Sequence, residues 1–151
     1  MLVKVKKLNE NAVIPKYAKD GDAGLDLTAT SVKIDEYGNV VYGTGLAFEI
    51  PYGYVGLLFP RSSISKQDIY LTNCVGVVDS GYRGEVMAKF KPVSKPRHDL
   101  DQQHKEVVNI YNVGDRICQL IIIPYPSIQL VESDELSDTE RGRGGFGSSG
   151  K

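Results

Sequence analysis

The sequence predicts an all-β fold of the sandwich, barrel or jelly-roll kind, and three observations carry it. Apolar residues recur in runs of strand length bounded by Gly or Pro, no segment sustains a long helical period, and 16 glycines and 7 prolines in 151 residues supply frequent turns. A chain of this length is expected to form one domain, able to bury a core without disulfides or a structural metal. Its 41% apolar and 25% charged residues are ordinary for a globular protein.

The elements follow in chain order. Leu2 to Lys6 alternates apolar residues with lysine and reads as a strand. Asp22-Ala-Gly-Leu-Asp-Leu27 reads as a turn leading into a strand, with Asp26 pointing opposite to Leu25 and Leu27 and so free to meet a metal or a water. Leu46 to Ile50 and Tyr54 to Phe59 are short apolar strands, and Pro60 precedes a brief helix predicted around Ser63 to Ile69, with serines to cap its start. Asn73 to Glu85 reads as a hairpin: Val77 and Val78 lead in, Asp79 to Arg83 turn, and Glu85 leads out. Glu85 to Lys91 puts Val86, Ala88 and Phe90 on one side, while Cys118 to Pro124 reads as a strand buried on both faces. Lys95 to Glu106 is polar throughout and is expected to be an exposed loop; His98 and His104 lie there without the partners at fixed spacing that a metal would need. Ile128, Leu130 and Val131 suit a last strand, and from about Ser133 the chain turns acidic and then glycine-rich. The expected organisation is a domain over 1–132 and a flexible arm over 133–151.

Charge and cysteine usage narrow the function. A net charge of −1 leaves no broad basic surface for nucleic acid or an acidic membrane, so a polyanionic ligand has to be a small one held by a local cluster of arginines. Cys74 and Cys118 have neither CxxC spacing nor a nearby histidine, and reduced, partly buried thiols are expected. No stretch has the length or character of a signal peptide or a membrane span, so an intracellular, soluble protein is expected.

Several segments could carry chemistry. Pro60-Arg-Ser-Ser-Ile-Ser65 sets Arg61 and its neighbouring hydroxyls and amides where an anion is favoured, although a helix cap with a surface arginine reads equally well. In Asn73 to Glu85, backbone donors and acceptors at the rim suit the edge of a flat heterocycle, Tyr82 suits a floor, and Asp79 beside valines suits a general base; a turn aspartate and a core tyrosine are the alternative. Gln119 is a polar residue in an apolar run and needs a partner, either a protein group or a phosphate. Gly145 to Lys151 nearly matches the phosphate-loop pattern G-x-x-x-x-G-K, but no strand precedes it and no helix follows to face the phosphates. On its own it reads as a flexible tail whose glycines let backbone amides approach an anion.

In this order, DAGLDL, PRSSIS, NCVGVVDSGYRGEV, NVGDRICQLIIIP and RGRGGFGSSG resemble the five motifs of the trimeric dUTP pyrophosphatases, over Asp22 to Gly150. The resemblance implies a distorted β jelly roll, assembled as a homotrimer with sites between subunits, that hydrolyses dUTP to dUMP and pyrophosphate by attack of water on the α-phosphorus. It implies Asp79 as the general base, Tyr82 beneath the deoxyribose, and Asn73, Gly76, Val77 and Val78 as the uracil reader. Arg61, Ser62, Ser63 and Gln119 are implied as phosphate ligands, and Met87 as a further substrate contact. Asp26 would meet Mg²⁺ through water while the triphosphate supplies direct ligands. From the arm, Phe146 would cover the uracil, Arg141 would pair with the terminal phosphates, and Gly147 and Ser148 would close around the chain of phosphates. The second motif of the family more often has Gly where this chain has Ser63. Two other functions share the pattern in part: a dCTP deaminase of the same fold, and a dUTP-responsive binding protein.

Overall fold

The computed structural model describes residues 1–93 and 109–145. Ten strands make up its regular structure: β1 (Lys4–Lys7), β2 (Leu25–Thr28), β3 (Ser31–Ile34), β4 (Val40–Gly43), β5 (Leu46–Glu49), β6 (Tyr54–Pro60), β7 (Ile69–Leu71), β8 (Gly76–Val78), β9 (Met87–Pro92) and β10 (Arg116–Pro124). They form two four-stranded sheets, in the orders β2-β10-β6-β8 and β3-β4-β9-β7, with β1 and β5 paired separately. Every pairing is antiparallel. The fold is the all-β jelly roll that the sequence predicts, and among the described residues no helix is long and apolar enough to cross a membrane.

The core fills the space between the sheets. Val86, Ala88 and Phe90 are buried on one side, as the period-two pattern requires, and they meet Val40 and Tyr42 of β4. Tyr42, Phe90 and Tyr111 pack edge to face, with ring centroids 5.7 to 6.3 Å apart. The Tyr42 hydroxyl donates to the Tyr111 carbonyl at 2.7 Å, and burial pushes its pKa up to about 12, with the nearby Asp115 charge acting in the same direction. Buried Thr44 donates to the Val86 carbonyl at 2.7 Å, so its hydroxyl stays satisfied.

Several local expectations need correction. The helix around Ser63 to Ile69 is a 3₁₀ turn over Ser62–Lys66, because Ile69 and Leu71 alternate into the core as β7 and the chain must extend to reach it. No serine side chain caps it; Arg61 occupies the cap position in extended conformation. The Asn73–Glu85 segment is not a hairpin, since β8 pairs with β6 in one sheet and β9 pairs with β4 and β7 in the other. The turn after Val78 therefore carries the chain across the gap between sheets. β10 is buried on both faces only over its first half: Ile117, Cys118 and Leu120 are fully covered, whereas Ile123 lies near the end of the sheet and is exposed. Cys74 is exposed, at the positive-φ corner of the turn before β8, and Cys118 is buried. Residues 125–145 contain no strand, and Ile128, Leu130 and Val131 stand exposed.

Candidate active site

Two clusters hold the candidate residues, and the first is a cleft of about 440 Å³ where the two sheets part. Asn73, Gly76, Val77, Val78, Asp79, Tyr82 and Met87 all line it. One wall is β8, an edge strand: β6 satisfies one side of its backbone, and among the described residues no strand pairs with the other. Free amide and carbonyl groups on such an edge can read the rim of a planar base as a partner strand would. The other wall comes from β9, whose alternation turns Ala88 into the core and leaves Met87 and Lys89 outward.

The segment between the walls is fixed by its own short hydrogen bonds. The Tyr82 amide donates to the Asp79 carbonyl at 3.0 Å, which closes the turn, and Arg83 Nη1 donates to the carbonyls of Ser80 and Tyr82 at 2.7 and 2.9 Å. Tyr82 Oη donates to the Glu85 carbonyl at 3.0 Å, so the ring lies back along the chain. Gly84 makes this possible, because a Cβ there would sit 2.5 Å from the Tyr82 hydroxyl. Glu85 Oε1 in turn accepts from the Gly45 amide at 2.7 Å, tying the segment to the turn before β5. Tyr82 is 44% exposed and so is a cleft residue rather than a core tyrosine. Asp79 is exposed beside one buried valine, Val78; its other neighbour in the pattern, Val77, is 64% exposed.

The second cluster is built at the adjoining ends of β2, β6 and β10, and none of its residues lines the cleft. Cross-strand register sets Asp26 opposite Gln119, and Gln119 opposite Phe59. Asp26 is not free as the sequence suggests. Arg61 Nε donates to its Oδ1 at 2.7 Å, Arg61 Nη2 to its Oδ2 at 3.2 Å, and Arg116 Nη1 to the same Oδ2 at 3.1 Å. The carboxylate is 22% exposed, Arg61 23% and Arg116 56%, so one negative and two positive charges meet partly out of water with a surplus of one positive. Gln119 finds its partner in the Pro60 carbonyl, to which Nε2 donates at 3.3 Å; its side chain lies over Gly24, where no Cβ would fit. Ser63 Oγ accepts from Arg61 Nη1 at 3.3 Å, while Ser62 is exposed.

Cys118 lies beside this cluster, and burial pushes its thiol pKa up to about 12, with the Asp26 charge adding to the effect and Arg61 opposing it. Among the described residues no group of three or more His, Cys, Asp or Glu side chains gathers to hold a metal. Asp26 nevertheless suits one kind of metal contact. Three N–H donors use most of its roughly four acceptor positions and leave one on Oδ1, which fits a water of a hydrated cation better than direct coordination. Arg141 reaches neither cluster; its Nε donates to the Gly144 carbonyl at 3.1 Å within its own exposed turn. Phe146, Gly147, Ser148, His98 and His104 lie outside the described residues.

Arg116 and Arg83 were not singled out from the sequence. Both stand inside quoted motifs; the carboxylate that Arg116 meets lies 90 residues away, where no local pattern reveals it, whereas Arg83 donates to carbonyls of its own turn.

Comparisons with known proteins point to one family. The family model described as dUTPase matches residues 10–150. The deoxyuridine 5'-triphosphate nucleotidohydrolase of Nautilia profundicola is 40% identical over 153 aligned positions, covering 100% of both chains. A solved Staphylococcus bacteriophage 80alpha dUTPase with dUPNHPP is 30% identical at a TM-score of 0.81, covering 99% of each chain; its description has phage dUTPases control transfer of virulence genes by a proto-oncogenic G protein-like mechanism. A mutant dUTPase from phage phi11 of S. aureus, described for its coordination of a structural Mg(II) ion, is 26% identical at a TM-score of 0.71, covering 89% of this chain and 98% of that one. With a family match across nearly its whole length, the chain belongs to the dUTPase family.

Proposed function

We propose that the chain is a dUTP diphosphatase, hydrolysing dUTP to dUMP and pyrophosphate. One observation carries the reading: seven residues implied as the uracil reader, the deoxyribose floor, the general base and a further substrate contact line a single cleft, from Asn73 on one wall to Met87 on the other. Uracil pairs with the open edge of β8, where the backbone pattern accepts its donor and acceptors and rejects the reversed pattern of cytosine. The deoxyribose rests on Tyr82, whose ring is fixed by its bond to Glu85; a 2′-hydroxyl would meet that ring and find no partner. Asp79 accepts a proton from a water, the water oxygen bonds to the α-phosphorus, and the bond to the bridging oxygen of pyrophosphate breaks.

The phosphates belong to the second cluster. Arg61, Ser62, Ser63, Gln119 and the surplus positive charge shared with Arg116 hold the triphosphate in line for attack, as the arginine pair around Asp26 supports. Asp26 would reach a Mg²⁺ ion through water while the triphosphate supplied its direct ligands, and the ion when bound would withdraw charge from the phosphates. The resemblance implies a homotrimer with sites between subunits, and the lining of the cleft, which includes none of the arginine cluster, supports an active unit in which one subunit's cleft meets another's arginines. The arm over 133–151 then serves as the lid, with Arg141 and Phe146 to Ser148 as the residues that cover the substrate until pyrophosphate leaves.

A nucleotide panel with Mg²⁺, assayed for pyrophosphate, tests this reading. Turnover of dUTP with little or none of UTP, dCTP or dTTP is expected. Comparable rates across the panel, or ammonia release from dCTP, would contradict it and favour the deaminase of the same fold.

The control of virulence-gene transfer by a G protein-like mechanism given for the 80alpha enzyme favours a second role beside catalysis, and we infer for this chain one in which bound dUTP orders the arm and changes affinity for a protein partner. Deleting 95–106 is expected to abolish nucleotide-dependent partner capture while sparing turnover. Capture that survives the deletion would remove that segment from the role.

A further inference from the structure

The guanidinium of Arg61 is held on two sides, and we propose that Tyr111 is a positioning residue for it, acting through the hydroxyl of Ser63. The inference rests on the reading of Arg61 as a phosphate ligand. One side of the guanidinium, Nε and Nη2, faces Asp26; the other, Nη1, donates to Ser63 Oγ at 3.3 Å and to the Arg116 carbonyl at 3.4 Å. Of five N–H donors, one on Nη2 is left for an anion, so the direction of that donor depends on how firmly the rest are anchored.

Ser63 alone is a poor anchor. It sits in a 3₁₀ turn of five residues with no buried member, and a serine hydroxyl rotates to suit its surroundings. Tyr111 removes that freedom. Its Oη lies 3.1 Å from Ser63 Oγ, and the tyrosine itself is locked: it is 4% exposed, its ring meets Tyr42 and Phe90 edge to face, and its carbonyl accepts from the Tyr42 hydroxyl. A continuous path of contacts therefore runs from the aromatic core through two hydroxyls to the arginine. The core fixes Tyr111, Tyr111 fixes Ser63, and Ser63 fixes the side of Arg61 that Asp26 does not reach. Losing the Tyr111 hydroxyl leaves the ring packing intact but lets Ser63 turn to water, so the Arg61 donor aimed at the phosphates loses alignment.

Steady-state kinetics on the full chain with Mg²⁺ and dUTP, together with deoxyuridine inhibition and thermal melting, test this. Tyr111→Phe is expected to raise KM for dUTP about fivefold with kcat nearly unchanged, since it weakens one hydrogen bond's worth of binding shared by ground and transition states. Deoxyuridine fills the cleft without touching the arginines, so its inhibition constant should not move. Ser63→Ala should raise KM at least as far as Tyr111→Phe, since it cuts the same path and also removes the serine's own phosphate contact, and the double variant should be no worse than Ser63→Ala alone. An unchanged KM in Tyr111→Phe, additive effects in the double variant, or weakened deoxyuridine inhibition in step with KM would overturn the inference. Arg61→Gln separates the two levels: if it leaves KM for dUTP unchanged, the phosphate role of Arg61 itself fails, whereas a large rise in KM without any effect of Tyr111→Phe fails the positioning role alone.

Discussion

The cleft and the arginine cluster are built in opposite ways. The cleft is mostly a local object: Asn73 to Lys89 supplies most of both walls and the turn between them, and bonds such as Tyr82 to Glu85 or Arg83 to Ser80 span three residues, with the Glu85–Gly45 bond as the longer tie. The cluster is a product of register. Asp26, Arg61 and Arg116 come from three strands or their ends, and they meet only because β10 lies between β2 and β6 in one particular alignment. On the proposed reading the cleft recognises a neutral base and sugar by shape and backbone, while the cluster concentrates charge for a polyanion. The first task suits a stretch of chain that can be inherited as a unit, and the second suits side chains pinned by a sheet.

Substitutions in the two regions should therefore fail differently. The largest effect is expected at Asp79, where Asp79→Asn should lower pyrophosphate release by about 10² to 10⁴ while binding of a non-hydrolysable dUTP analogue stays close to wild type. Unchanged turnover would remove Asp79 from the role of base. Next comes Asp26→Asn, which leaves two guanidinium groups side by side with one hydrogen-bond acceptor between them. A fall in kcat/KM for dUTP of about ten- to a hundredfold is expected, with a stability loss of only about 1 kcal/mol because Arg116 can turn to solvent. If melting collapses and the phosphate-dependent kinetics hold, the cluster is a structural pair and not a ligand site.

Gly84→Ala sharpens the other side of the contrast. The added Cβ pushes the Tyr82 ring off the backbone, so dUTP binding should weaken by about tenfold and discrimination against UTP should narrow, at a cost in stability of about 1–3 kcal/mol. An unaltered ratio of dUTP to UTP turnover would mean that Tyr82 does not set sugar selectivity. The smallest effect concerns the thiols. Cys74 should react with a thiol reagent in the native protein and Cys118 only after unfolding. The folded state holds the Cys118 proton up to a pKa of about 12 against an ordinary value of 9.0, so the unfolded chain releases it first. This contribution to stability is complete below about pH 9.0 and declines as pH rises towards 12. Cys118→Ala should flatten that decline in a pH series of melting curves, and an unchanged slope would assign it to other groups.

The same contrast explains what the sequence made legible. The alternation of Val86, Ala88 and Phe90 and the Gly- and Pro-bounded runs predicted strands that exist, and the contents of the cleft could be read because they are contiguous. What the local pattern misjudged was connectivity: Asn73 to Glu85 has the turn and flanks of a hairpin, and nothing in it signals that its two arms join different sheets. Asp26 was read as free because its partners are 35 and 90 residues away. Arg116 passed as one letter of a motif for the same reason. Ser63 stands in the sequence only as a departure from the family's Gly, since the partner of its hydroxyl, Tyr111, is 48 residues away.

Whether the cleft of one subunit is completed by the arginines of another can be measured by mixing two inactive variants. Asp79→Asn lacks the base but keeps the arginines, and Arg61→Gln keeps the base but lacks a phosphate ligand. After joint unfolding and refolding at equal amounts, random trimers should contain about a quarter of their sites with both groups intact, and pyrophosphate release should recover to about that fraction of wild type. Activity no higher than that of the two variants assayed apart would contradict a shared site and place both groups of each active centre within one chain.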